Sequence, residues 1–67
     1  MIVVNDRPRP YQDGLTVRTL LLDLGFDPEA VVIVLNGKAP RHNAFGSTAV
    51  RDGDVLEVEE IEGGLEG

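Results

Sequence analysis

The sequence predicts an α+β domain in two layers, one main helix packed across one face of a mixed sheet of four to five strands. Three observations predict it. Short runs rich in Val and Ile open the chain, fill its middle and close it. A single segment carries apolar residues at helical spacing. Turn chemistry (Asn-Asp, Asp-Gly, Asn-Gly, Asp-Gly-Asp) separates these pieces.

Met1 to Asn5 is a short β-branched run, and Asn5-Asp6-Arg7-Pro8 is turn chemistry. Arg9 to Gln12 is expected to return as the second strand of a hairpin. Pro8 and Pro10 make it an edge strand, because neither can donate a ladder hydrogen bond. Asp13-Gly14 closes that unit. Thr16 then serves as an N-cap, accepting from the first-turn amides. Val17, Leu20, Leu21 and Leu24 follow at i, i+3, i+4 and i+7 as one apolar stripe. Gly25 stands where a left-handed C-cap is needed, and Pro28 prevents continuation.

Ala30 to Leu35 is apolar without alternation, which reads as a strand covered on both sides and therefore central in the sheet. Asn36-Gly37 is a strong hairpin signal and turns the chain into a short strand around Lys38 to Arg41. His42 to Thr48 is irregular, with Phe45 anchoring the loop on the core. Arg51-Asp52-Gly53-Asp54 is a second turn, introducing the last strand, Val55 to Ile61. A right-handed helical crossover places the later strands beside the first.

The chain has 67 residues, which is near the lower limit for a core without staples. It reads as one domain over 1–62 and a flexible tail over 63–67. There is no cysteine, so neither a disulfide nor a thiol nucleophile is available. A domain this small without disulfides reads as cytoplasmic. The N-terminal residues have neither the basic region of a signal peptide nor the length of a membrane span.

The formal net charge is -6, from 12 acidic and 6 basic residues, and the basic residues are scattered. That balance is the wrong one for neutralising phosphates, so nucleic acid is not an expected partner. It suits electropositive protein partners, or simply solubility. No metal site is expected. His42 stands alone, and strand alternation sends Glu57 and Glu59 to one face and Glu60 and Glu62 to the other. Ser47 has no histidine-acid constellation beyond His42, which leaves a nucleophilic triad unsupported. The glycines are spread over separate turns and make no phosphate cradle.

The end of the chain is the informative part. Val55-Leu56-Glu57-Val58-Glu59-Glu60-Ile61 runs into Glu62-Gly63-Gly64, followed by Leu65-Glu66-Gly67. Two consecutive glycines cannot contribute to a core, and they carry the most backbone freedom to lose. They are also the thinnest peptide possible, so they can carry a carboxylate through a narrow channel into another enzyme. The plain alternative is a frayed terminus.

The order of elements, the length, Val34-Leu35-Asn36-Gly37-Lys38, Pro40-Arg41, Val50-Arg51-Asp52-Gly53-Asp54 and the Gly63-Gly64 end together resemble the ubiquitin-like β-grasp sulfur carriers. The likeness covers nearly the whole chain. Each motif is weak alone, and the set at these spacings is specific. The short length favours the thiamine-biosynthesis type (ThiS-like) over its sister group, the small subunit of molybdopterin synthase (MoaD-like).

The resemblance implies a protein co-substrate, not an enzyme. A ThiF-like adenylyltransferase would activate the Gly64 carboxylate with ATP and magnesium, which belong to that partner; the carrier itself binds no cofactor stably. Persulfide sulfur would then displace AMP, and the thiocarboxylate would serve a ThiG-like thiazole synthase. Gly64 is the reactive residue and Gly63 gives access. Ile61 and Glu62 are the lead-in that docks the tail. Leu56 and Val58 are candidates for an exposed partner patch, with core packing as the alternative, stronger for Leu56.

One departure stands out: Leu65-Glu66-Gly67 follows the doubled glycine, so Gly64 has no free carboxylate as the chain is written. Three readings are open: a native extension removed by a protease, Leu-Glu as the junction to an appended tag, or loss of the carrier role. Gly67 as acceptor departs from the doubled-glycine pattern because Glu66 precedes it. The competing functional readings are a carrier for molybdopterin or amino-acid biosynthesis, or a ubiquitin-like binding module without terminal chemistry.

Overall fold

The computed structural model describes residues 1–61. Four strands and one α-helix form two layers. The strands are β1 (Ile2–Val4), β2 (Arg7–Arg9), β3 (Val31–Leu35) and β4 (Val55–Glu60), and the helix is α1 (Val17–Leu24). The sheet order is β2-β1-β4-β3. β1 pairs antiparallel with β2 and parallel with β4, and β3 pairs antiparallel with β4. The mixed sheet with one helix on it agrees with the sequence-based expectation.

The first hairpin is tighter than expected. Val4 pairs with Arg7, leaving Asn5 and Asp6 as a two-residue loop, both at positive φ (51° and 66°). Such a loop suits the twist of a hairpin, and Asn and Asp tolerate the left-handed region. β2 therefore starts at Arg7, two residues before the expected Arg9, and includes Pro8. It is an edge strand, as Pro8 requires.

The helix follows the sequence signals. The Thr16 hydroxyl accepts from the Thr19 amide at 3.2 Å, and the Thr19 hydroxyl accepts from the Thr16 amide at 3.0 Å, a reciprocal cap. Gly25 ends the helix at φ 87°, in the left-handed conformation that glycine adopts without a Cβ penalty. Val17, Leu20 and Leu21 face the sheet and are buried.

β3 departs from expectation. It lies at the sheet edge beyond β4, so it is not central, and only one of its faces is covered. Val31 and Ile33 enter the core, whereas Val32 is exposed and Val34 half-buried on the other face. The single helical layer has nothing to place on that second face. After Asn36-Gly37, at φ 51° and 85°, the return is one bridge, Leu35 to Lys38, instead of a strand to Arg41. His42–Ser47 is a 3-10 segment whose Phe45 is 1% exposed, plugging the core as anticipated.

The core joins Ile2, Val4, Val31, Ile33, Leu56 and Val58 of the sheet to Val17, Leu20 and Leu21 of the helix, with Phe45 and Val50 from the loops. Among the described residues no helix is long and apolar enough to cross a membrane.

Candidate functional site

β4 is the strand that delivers the chain to its terminal residues, and the fold braces it along its length. At its start, the Asn36 amide donates to the Val55 carbonyl at 2.9 Å, and the Asn36 side-chain oxygen accepts from the Val55 amide at 2.9 Å. The Asn36 side-chain amide donates to Asp54 Oδ1 at 2.9 Å, while Asp54 Oδ2 accepts from the Arg51 amide at 2.8 Å. At its end, the Ile61 amide donates to the Ala30 carbonyl at 2.8 Å, carrying the pairing with β3 one residue past Glu60.

Alternation in β4 sorts the expected partner residues. Leu56 and Val58 point to the helix and are 0% and 8% exposed, so neither belongs to an exposed patch. This corrects their assignment as partner-binding residues: the one helical layer covers that face of the sheet, and both side chains are core. Val55, Glu57 and Glu59 point the other way and are exposed. Ile61 is 49% exposed and continues this outward set. Glu62, Gly63 and Gly64, with Leu65, Glu66 and Gly67, lie outside the described residues.

The exposed apolar surface is elsewhere than the sequence suggested. The cross-strand pairs Val32 with Glu59 and Val34 with Glu57 lie on the open face. Val55 stands beside Val3 in the parallel pair. The open face thus carries Val32 and Val34 on β3 and Val55 and Ile61 at the two ends of the β4 run, with Glu57 and Glu59 between them. Asn5 and Asp6 border the shallow depression over Val32 and Val34. The signal that could have located it is the run Val31 to Leu35 itself. A strand with valines on both faces, in a domain with one helix, must leave half of them facing outward.

The residues considered for other chemistry do not converge. His42 Nε2 donates to the Val31 carbonyl at 2.8 Å, and Ser47 Oγ donates to the Ala44 carbonyl at 3.1 Å, so both are engaged with backbone carbonyls. Among the described residues no three His, Asp or Glu side chains gather as a metal site would require.

Comparison with known proteins follows the same outline. The model of the ThiS family matches residues 2–62. The sulfur carrier protein ThiS of Thermus thermophilus is 34% identical over 58 residues, covering 87% of this chain and 89% of that protein. The crystal structure of a thiamine biosynthesis protein (ThiS) from Geobacter metallireducens superposes with a TM-score of 0.75 at 37% identity, covering 94% of this chain and 96% of that one. A protein of Paramagnetospirillum magneticum named thiazole synthase is 33% identical over 63 residues. This chain spans only 19% of that protein's length, and the same share of a thiazole synthase from Magnetococcus marinus. By the family match over almost its whole length, the chain belongs to the ThiS family of ubiquitin-like β-grasp sulfur carriers.

Proposed function

We propose that this chain carries sulfur as a thiocarboxylate on Gly64 for the thiazole of thiamine, after loss of Leu65, Glu66 and Gly67. The observation that carries the reading is the family match reaching residue 62, immediately before Gly63-Gly64. The protein is a co-substrate, and the chemistry belongs to its partners. A processing protease first frees the Gly64 carboxylate. A ThiF-like adenylyltransferase, using ATP and magnesium, joins it to AMP and releases pyrophosphate, turning a poor electrophile into a good one.

The terminal sulfur of a cysteine persulfide then attacks the acyl carbon and expels AMP. A second thiol opens the resulting acyl disulfide, taking the cysteine sulfur into a new disulfide and releasing the thiocarboxylate. ATP dependence and the lack of cysteine in the carrier suit the cytoplasm.

A ThiG-like thiazole synthase is the acceptor. The support is that proteins named thiazole synthase contain a stretch like this chain within a longer polypeptide. The docking face is the open side of the sheet, where Val32, Val34, Val55 and Ile61 offer apolar contact and Glu57 and Glu59, set among them, favour basic groups on the partner. Ile61 and Glu62 lead Gly63-Gly64 into the partner's active site.

The test is ATP-pyrophosphate exchange with a ThiF-like adenylyltransferase. A chain ending at Gly64 supports exchange, whereas the chain ending at Gly67 and one ending at Gly63 do not. Equal exchange from the chain ending at Gly67, or none from the chain ending at Gly64, contradicts the reading.

A further inference from the structure

β1 ends at Val4, but β4 runs on to Glu60. Backbone pairing between them reaches the Asn5 amide, which donates to the Leu56 carbonyl at 3.0 Å. Beyond that point the chain leaves β1 in the tight Asn5-Asp6 loop, so no β1 backbone remains to face Val58. The Asn5 side chain takes its place. Its oxygen accepts from the Val58 amide at 2.8 Å and its NH2 donates to the Val58 carbonyl at 3.2 Å, both partly buried. A primary amide has the same donor and acceptor as a peptide group, so it substitutes for the missing strand residue. The φ of 51° at Asn5 starts the turn of the backbone, and asparagine is among the few residues that adopt it readily.

We infer that Asn5 is a positioning residue for tail activation, holding the exit half of β4 in the sheet so that the terminal glycines leave from a fixed root. This inference rests on the carrier reading above. Without the two bonds, Val58 to Glu60 is held on the β3 side alone. The partner must then order that segment on binding, and this cost falls on binding in ground state and transition state alike. Its kinetic signature is a raised KM with an unchanged kcat.

Asn36 supplies the control. It also lies at φ 51°, and its side chain also bonds the β4 backbone, but at Val55, the end far from the tail. Asn5→Gly and Asn36→Gly each tolerate the positive φ while removing the amide. Both are made in the chain cut after Gly64, which keeps every described core residue. Melting curves establish that each variant is folded, hydrogen exchange reads the Val58 amide, and steady-state kinetics use the adenylyltransferase.

For Asn5→Gly, the exchange rate at Val58 rises and KM for the carrier increases at least about fivefold with kcat held, the low end of the scale for two lost hydrogen bonds. For Asn36→Gly, stability falls and KM rises less than in Asn5→Gly. Equal KM changes in the two variants, an unchanged KM in Asn5→Gly, or an unchanged Val58 exchange rate overturns the positioning role while leaving the carrier reading intact. Failure of the unsubstituted chain to be adenylated overturns the carrier reading and the inference with it.

Discussion

The Ile61 amide donates to the Ala30 carbonyl at 2.8 Å, which ties the last described residue to the start of β3. The chain is thus part of the sheet up to three residues before Gly64. Every described core side chain lies at or before Val58. Removal of residues 62–67 therefore leaves the thermal midpoint unchanged, measured by circular dichroism on the full and shortened chains. A large drop would mean that the terminal residues help to hold the fold.

Phe45 and Leu21 are among the largest fully buried side chains and come from different elements, the 3-10 segment and α1. Replacing either by Ala removes buried surface and leaves a cavity, costing about 3–5 kcal/mol for Phe and about 2–5 for Leu. A small single-core domain has little stability to spare, so each variant is expected to be largely unfolded near 37 °C. Urea titration followed by far-UV circular dichroism checks this.

Gly25 holds φ 87° at the helix end, and a Cβ there would meet nothing within 4 Å. The cost of Gly25→Ala is therefore conformational, about 1–2 kcal/mol from forcing an L-residue into the left-handed region. A shift in the denaturation midpoint without a change in slope is the expected result.

Val32 and Leu56 separate docking from folding. Val32→Asp places a charge on the open face, where the side chain is 44% exposed, and should weaken binding to the adenylyltransferase while the protein stays folded. Leu56→Asp buries a charge with no partner and should unfold the domain. Reversing Glu57 and Glu59 to Lys should slow association and reduce its dependence on salt. Surface plasmon resonance at two ionic strengths measures both effects.

Much of this was legible in the sequence because the signals were local. Thr16, the stripe Val17-Leu20-Leu21-Leu24 and Gly25 specify α1 without help from the rest of the chain. β3 departs from its expected central place because burial on two faces and position within a sheet are different properties. Its unbroken apolar run suggested cover on both sides, yet with only one helical layer even the inner strand β4 has an open face. That is why β4 alternates, and why β3 has exposed valines at the edge. Leu56 and Val58 follow the alternation of β4 into the core, the alternative to a partner patch that the sequence left open and favoured for Leu56. Asn5 reads as a turn residue, which it is. Its pairing with Val58, 53 residues away, depends on where β1 stops beside β4 and leaves no local trace.

Intact-mass spectrometry of the untagged protein, isolated from its native host under conditions that preserve thioacids, tests the central claim most directly. The carrier account predicts loss of Leu65-Glu66-Gly67 together with one oxygen replaced by sulfur at the new terminus. An uncleaved, unmodified chain in cells where the adenylyltransferase is present and active would contradict it and favour a binding module without terminal chemistry.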